Sequence, residues 1–371
     1  MELEKYKLGE ILDVTRGASL GGEFYATEGE YIRLTCGNFD YRNNCFKKND
    51  SKKNIFYTGE FRDEYLLNKG DIITPLTEQA IGLLGTTARI PESGKYIQSQ
   101  DIAKITCTNL LDENFAFYLL SSACVKQQLN AAAQQTKIRH TSPDKIKECT
   151  VWIPSFDVQK RIGRILRDID EKIAINRQIN DNLEAMAKQL YDYWFVQFDF
   201  PNEEGKPYKS SGGAMVYNER LKREIPIGWE VENLIDFAEI KNGATPSTAD
   251  EANYGGDIVW ITPKDLSDQQ SKFVYQGERN ITKQGFDSCS TSMLPTNSVL
   301  MSSRAPIGLV SIAKHEVCTN QGFKSFIPKS ISDSIYLYYY IKHHIKQIEQ
   351  LGTGTTSIEP FQTAWFSGYI F

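Results

Sequence analysis

The longest regular pattern of apolar and polar positions runs through the middle of the chain. Apolar residues recur there in two interleaved series at steps of three and four, with charged and amide residues between them. This heptad pattern, with no proline and no glycine after Gly163, is typical of a coiled-coil seam. It predicts a helix from about Asp157 to Phe195, roughly 58 Å long at 1.5 Å per residue. The seam positions are Ile162, Ile165, Ile169, Asn176, Ile179, Leu183, Met186 and Leu190.

Two interpretations of this helix stay open. A helix of that length suits a strut that packs against a partner helix, and Asn176 would then help to set the register of the pair. The alternative is a surface helix that belongs to a single globular domain.

Segments on either side of the helix resemble each other in the same order. Residues 8–19 resemble 231–247, and residues 31–39 resemble 258–266. Further along, the similar pairs are 67–90 with 294–314 and 99–105 with 319–326. Each block contains a short strand or a helical turn beside a polar loop. Chance similarity between two α+β domains is the alternative, but a conserved order of blocks favours an internal repeat.

The repeat predicts two similar α+β heads separated in sequence by a long coiled-coil-type helix. Residues 1–153 form the first head, and residues 154–198 form the helix. Residues 199–228, rich in Gly, Pro and Ser without periodicity, are expected to be a linker. Residues 229–360 form the second head, and 361–371 a short tail.

Composition excludes several classes of protein. No apolar run reaches the length of a membrane span, and the charged start "MELEKYKLGE" lacks a signal-peptide core, so a cytoplasmic location is expected. The seven cysteines are scattered and odd in number, which indicates reduced thiols. The four histidines and seven cysteines form no recognised metal-binding motif, so no metal site is expected.

Motifs for catalysis are missing from the sequence. It contains no GxxxxGK[ST] phosphate loop and no HExxH metal motif. The segment "SPDKIKE" predicts a helix start capped by Ser142 with Pro143 at its first position. An enzyme with an unfamiliar site is the remaining alternative, and a non-catalytic protein is favoured.

Polar loops with cationic side chains favour recognition of nucleic acid, although the net charge is −5. The stretch "YRNNCFKKNDSKK" carries five basic residues against one Asp, as a phosphate-contacting loop or an ordinary solvated turn would. Two similar heads on a rigid spacer suit two short DNA sites a set distance apart. The candidate DNA-binding residues are Arg16, Arg33, Arg42, Lys47, Lys48, Lys137, Arg139, Lys241, Lys264, Lys272 and Arg304.

Residues 152–231 resemble the central region of specificity (S) subunits of type I restriction-modification systems. The matching motifs are "WIPSFDVQKRI", "NRQINDNLEAM", "YDYWFVQFDFP" and "GKPYKSSGGAMVYNERLKREIPIGW". The resemblance is weaker across both heads, where such proteins diverge because the heads encode the choice of target.

The resemblance implies that each head is a target-recognition domain for half of an asymmetric, bipartite DNA sequence. It also implies that methyltransferase (M) subunits dock on the conserved helices. Those subunits would bring S-adenosylmethionine and modify the exocyclic amine of adenine, while an ATP-dependent restriction (R) subunit joins for cleavage. The S subunit itself needs no cofactor.

The sequence departs from the family in lacking the distal helix expected to pack antiparallel against the central one. We therefore expect self-association through the central helix, or burial of its seam against another subunit. An alternative function is that of a truncated, non-productive or regulatory specificity subunit that acts as a cassette or decoy.

Overall fold

Short strands and a few helices make up most of the chain, and one long helix crosses its middle. The computed structural model describes residues 2–49, 53–78, 82–132, 139–269, 271–304, 306–352 and 362–365. The chain divides into two units, Met1–Ile179 (unit 1) and Asn180–Phe371 (unit 2). The boundary falls inside the long helix, so each unit is described by itself.

Unit 1 combines an antiparallel four-stranded sheet with a second, smaller sheet of four strands. The first has the order β10-β8-β12-β2 and the second β11-β4-β7-β3, and the pairs β1–β14, β9–β13 and β5–β6 lie beside them. Its strands are β1 (Glu4–Lys7), β2 (Leu12–Arg16), β3 (Tyr25–Ala26), β4 (Tyr31–Arg33), β5 (Phe39–Asp40), β6 (Cys45–Phe46), β7 (Phe56–Tyr57), β8 (Ile72–Pro75), β9 (Thr77–Glu78), β10 (Ala88–Arg89), β11 (Tyr96–Ile97), β12 (Ile102–Cys107), β13 (Arg139–His140) and β14 (Thr150–Ile153).

Helices cover one side of the first sheet and enclose the main core of unit 1. They are α1 (Leu8–Ile11), α2 (Glu113–Leu120), α3 (Ala123–Ala132), α4 (Pro143–Lys147) and the start of α5 (Phe156–Tyr191). The core joins Leu8 and Ile11 of α1 to Ala116 of α2 and Val125 of α3. The sequence-based prediction for α4 is confirmed, because Ser142 caps the helix through the N–H of Lys145 and proline follows it.

Unit 2 is built around a five-stranded sheet of order β18-β25-β22-β23-β21. Its strands are β15 (Met215–Asn218), β16 (Arg223–Pro226), β17 (Glu230–Asn233), β18 (Ala238–Asn242), β19 (Tyr254–Ile258), β20 (Trp260–Ile261), β21 (Phe273–Val274), β22 (Val299–Ser302), β23 (Val310–Ala313), β24 (Cys318–Thr319), β25 (Phe323–Pro328) and β26 (Gln362–Trp365). Its further helices are α6 (Leu234–Phe237), α7 (Pro263–Gln269), α8 (Lys283–Asp287), α9 (Ile331–His343) and α10 (Ile345–Gly352). Leu337 and Ile341 of α9 pack on Val299 and Phe326 of the sheet.

The two units repeat the same order of elements. A strand, a four-residue helix and a second strand begin the repeated order in each unit, as β1-α1-β2 and β17-α6-β18. The second strand then pairs antiparallel with β12 or β25, which pairs in turn with β8 or β22. A parallel pair, β4–β11 or β20–β24, recurs as well. The predicted α+β class with two similar domains around a long helix is confirmed.

The long helix spans 36 residues, which corresponds to about 54 Å. Its start is held in unit 1 by Gln159, whose amide group donates to the carbonyls of Leu110 and Pro154 and accepts from the N–H of Asp112. Gly163 is required by close packing, because a Cβ there would lie 2.6 Å from the backbone nitrogen of Phe115. The helix therefore lies tightly against the start of α2.

The segment that we expected to be a linker contains a hairpin and an aromatic cluster. The hairpin consists of β15 and β16, and the cluster of Phe198, Phe200, Ile225 and Trp229. Phe200 stacks between Tyr208, at 4.7 Å, and Trp229, at 5.4 Å between ring centroids. Sequence periodicity cannot detect such a cluster, since Phe198, Phe200 and Trp229 come from irregular backbone and only Ile225 lies in a strand. The domain boundaries themselves stay predictions.

Candidate nucleic-acid interface

Five polar residues of unit 1 come together beside the end of the first sheet, and we name them the polar cluster. They are Thr77, Glu78, Asp101, Arg139 and His140. The short pair β9–β13 places Arg139 opposite Glu78 and His140 opposite Thr77. The Thr77 hydroxyl lies 3.1 Å from Oδ1 of Asp101 and 3.3 Å from Nδ1 of His140. Side chains from three separate segments thus form one polar surface.

Within the polar cluster a buried carboxylate supports an accessible cation. The side chain of Glu78 is only 4% exposed, whereas that of Arg139 is 38% exposed, and Nε of Arg139 lies 3.5 Å from Oε2 of Glu78. The other carboxylate oxygen accepts a 2.8 Å hydrogen bond from the N–H of Gly82. Because both oxygens are engaged, Glu78 is a fixed support for the guanidinium group.

Two other predicted residues of unit 1 mainly hold its own backbone. Arg33 is buried, stacks 3.7 Å from the ring of Tyr25 and donates to the carbonyl of Asn54. Arg16 is exposed, and its Nε donates to the carbonyl of Gln100 over 2.7 Å. We conclude that Arg33 has a structural role in this unit, while Arg16 stays accessible.

The predicted basic loop begins with a turn organised by Asp40. Its carboxylate accepts hydrogen bonds from the backbone N–H groups of Arg42 and Asn43 and from the amide of Asn43. Burial opposes ionisation of Asp40, but these hydrogen bonds outweigh it and hold its pKa below the ordinary value. Arg42, Lys47 and Lys48 are exposed along this loop. Lys137 lies outside the described residues.

In unit 2, three of the four predicted cations form ion pairs within the unit. Lys241 pairs with Glu239 on its own strand, and Lys264 pairs with Glu278 at 2.6 Å, a hydrogen bond that raises the pKa of Lys264. Lys272 is the most enclosed, since it donates to the Tyr339 hydroxyl at 2.7 Å and lies 3.4 Å from Glu184. Arg304, in contrast, is exposed in the loop after β22.

Sequence reasoning missed the acidic and aromatic partners of these cations. Glu184 of the long helix accepts from the Tyr339 hydroxyl at 2.9 Å and lies near Lys342, so it joins α5 to α9 within unit 2. In unit 1 the Tyr118 hydroxyl donates to Asp170 at 2.7 Å, and Arg177 donates to Asn43. No local pattern reveals these pairs, because their members are far apart in sequence.

The heptad seam separates into a covered end and an exposed face. Ile162 is half-buried against the core of unit 1. Asn176 is exposed, and six apolar seam residues are between 47% and 64% exposed: Ile165, Ile169, Ile179, Leu183, Met186 and Leu190. Six exposed apolar side chains along one side of a helix are unusual for a surface in water and are typical of a protein-binding face.

The fold and the sequence together define the class of this protein. The sequence model of the family described as "Type I restriction modification DNA specificity domain" matches residues 1–185 and 226–359. These ranges cover most of both units, so the chain belongs to this family. None of the helices in the described part of the chain is long and apolar enough to cross a membrane.

Individual relatives agree with this assignment. The chain is 47% identical over 119 residues to the MjaIX specificity subunit of Methanocaldococcus jannaschii, which covers 32% of this chain and 28% of that protein. It is 26% identical over 310 residues to the HindI specificity subunit of Haemophilus influenzae, covering 70% and 67% of the two chains. The crystal structure of the type I S subunit from M. genitalium is similar in fold, with a TM-score of 0.57, 15% identity and coverage of 99% and 86%.

Proposed function

We propose that this chain is the DNA-recognition subunit of a type I restriction-modification complex. Units 1 and 2 would each read one half of a bipartite, asymmetric target, and the chain itself would catalyse nothing. The observation that carries the proposal is the repetition of one fold in two units whose equivalent loops carry different polar residues. One framework with two sets of loops suits two unlike half-sites.

Methylation and cleavage would come from associated proteins. Methyltransferase subunits would supply S-adenosylmethionine and the restriction subunit would supply ATP, while this chain selects the site.

The exposed seam of α5 supports protein docking, because covering one such side chain fully contributes roughly 1.5–3 kcal/mol. A helix that only faced solvent would not need six exposed apolar side chains on one side.

A second copy of this chain is an alternative occupant of the seam, and the heptad pattern favours one orientation. Antiparallel pairing centred near residue 174 would place Lys172 opposite Asn176 of the second copy and Ile169 opposite Ile179. A parallel pair would instead place the two Lys172 ammonium groups together. A parallel pair would also match Asn176 with Asn176, so the two arrangements differ in whether the two Lys172 ammonium groups are kept apart.

The recognition role is tested by sequencing methylated bases in cells with and without this chain. Deleting the chain should abolish methylation at one bipartite motif, and replacing residues 1–150 by another head should change one half of that motif only. A change in both halves would contradict modular recognition. Co-purification with a methyltransferase without any methylation would favour the decoy alternative.

The docking role of the seam is tested with the double variant Ile169→Asp, Leu183→Asp. Both residues are exposed, so circular dichroism should be unchanged while capture of methyltransferase subunits is lost. Sedimentation of the wild-type chain at micromolar concentration separates the occupants: a dimer that the double variant dissociates supports self-association, and a monomer contradicts it. Lys188→Ala, on the same helix but off the seam, is the control.

A further inference from the structure

The loop after β8 in unit 1 and the loop after β22 in unit 2 are equivalent. Their strands pair in the same way with β12 and β25, so that Pro75 faces Ile102 and Ser302 faces Phe323. Both loops then reach a glycine with positive φ, Gly82 at 95° and Gly308 at 85°. The two strand ends and the two glycines therefore bound one equivalent segment in each unit, and the two segments differ in sequence.

The framed loops differ in length and in charge. Residues 76–81 lie between strand and glycine in unit 1, and residues 303–307 in unit 2, so the second loop is one residue shorter. Arg304 stands at the position of Thr77 or Glu78, according to the end from which the loops are aligned. When the segments are aligned from the glycine, an exposed cation in unit 2 corresponds to the buried acidic support of Arg139 in unit 1.

The support of Arg139 has the geometry that oriented recognition needs. Glu78 engages the Nε edge, and the described residues provide no other hydrogen-bond partner for the Arg139 side chain. The strand pairing to β9 holds its backbone, and beside it the Thr77 hydroxyl lies within hydrogen-bond distance of the side chains of Asp101 and His140. A guanidinium group fixed in this way loses less conformational entropy on binding than a free one.

We infer that Arg139 reads a guanine in the half-site of unit 1 and that Glu78 is its positioning residue. The inference rests on the proposed function. Two parallel N–H groups of a guanidinium match the O6 and N7 acceptors of guanine, which a lysine ammonium cannot reproduce. A residue that only neutralised a phosphate would need no buried carboxylate, since that support lowers its net charge.

The test compares Arg139→Lys and Glu78→Gln with the wild-type chain, each assembled in full length with its methyltransferase subunits. Every complex selects its targets from a library of randomised DNA duplexes. Lysine keeps the positive charge but lacks the two parallel N–H groups of the guanidinium. The preference for G·C at one position of the unit 1 half-site should therefore fall roughly 5- to 150-fold. Glu78→Gln should reduce the preference for G·C at the same position by a smaller factor. The base preferences in the other half-site should be unchanged.

The control is Lys48→Ala in the exposed basic loop, which should weaken binding alike for all sequences and flatten the salt dependence. Arg139→Lys alters an accessible side chain, so folding should be preserved, and thermal unfolding checks both variants. If the wild-type complex selects a bipartite motif and Arg139→Lys selects it with equal preference, the inference is wrong. If the wild-type complex shows no preference at all, the proposed function fails as well.

Discussion

Each unit has a glycine directly after an equivalent strand: Gly17 follows β2 in unit 1, and Gly243 follows β18 in unit 2. The backbone of a neighbouring segment lies close to each glycine. A Cβ atom would overlap the backbone oxygens of Gln98 and Ser99 in unit 1, or of Thr319 and Asn320 in unit 2. The two units therefore share backbone contacts that allow no side chain. At this turn the frameworks of the two units are alike.

The cationic side chains of the two units are used differently. In unit 1 the buried carboxylate of Glu78 contacts Arg139, and the Arg139 side chain stays accessible. Unit 2 pairs Lys241, Lys264 and Lys272 with its own carboxylates, and Lys272 also binds Tyr339 of α9. The comparison teaches that a count of basic residues does not locate a DNA-binding surface, because several of them bind carboxylates or carbonyls of their own unit.

The largest expected effect concerns the aromatic cluster of unit 2, whose members precede the elements that the two units repeat, and Trp229→Ala tests it. Removal of a buried indole that packs on Phe198 and Phe200 should lower the free energy of unfolding by about 3–5 kcal/mol. Urea unfolding followed by circular dichroism measures this. Exposed Ile227→Ala is the matched control and should cost less than about 0.5 kcal/mol. Equal effects would mean that residues 199–228 act as a simple linker.

The likeness of the units is tested by Gly17→Ala and Gly243→Ala. Each methyl group would meet backbone that cannot move freely, so each variant should lose about 1–3 kcal/mol of unfolding free energy. Gly22→Ala is the control in unit 1, since its Cβ would lie 3.9 Å from the nearest atom and its φ is not positive. A large loss at Gly17 with none at Gly243 would show that the framework is not shared at this turn.

The smallest expected change in unfolding free energy concerns Asp13 of β2, which forms an ion pair with Lys147 of α4 in unit 1. Lys147 lies 2.5 Å from its carboxylate, and this hydrogen bond, against a smaller effect of burial, holds the pKa of Asp13 below its ordinary value. A lowered pKa stabilises the fold above the unfolded value near 4, and this contribution is lost as the pH falls through the lowered pKa. In unit 2 the equivalent Glu239 pairs instead along its own strand with Lys241.

Asp13→Asn should therefore lower the unfolding free energy at pH 7 by about 0.5 kcal/mol or less, because the pair is largely solvated. The difference from the wild-type chain should shrink toward zero in acid. Urea unfolding between pH 3 and 7 measures it, and a double-mutant cycle with Lys147→Met isolates the pair. A loss that is the same at both ends of this range would exclude the ion pair as its cause.

Local patterns predicted the elements that local physics controls. The heptad seam located α5 to within a few residues at each end, and the Ser142-Pro143 pair located the start of α4. The repeat of apolar blocks predicted two similar α+β units. These predictions succeed because helix periodicity, capping and strand alternation depend on residues only a few positions apart.

The candidate site was predicted only in part. Arg139 and Arg304 were chosen as cations in polar loops, but so were Arg33, which is buried, and Lys272, which binds Glu184 and Tyr339. The role of Glu78 was not foreseen, because an acidic residue in a loop looks like any solvated carboxylate. Its partner, Arg139, comes from a strand far along the chain.

By itself the sequence determined where the long helix runs, which side of it is apolar and that the flanking blocks repeat. Only the tertiary structure decided which charges are accessible, which glycines lie against backbone and which part of the seam is covered. The physical reason is the separation along the sequence of the residues that interact. Periodicity and capping arise between neighbours along the chain, whereas burial and ion pairing arise between segments that the fold brings together from distant positions.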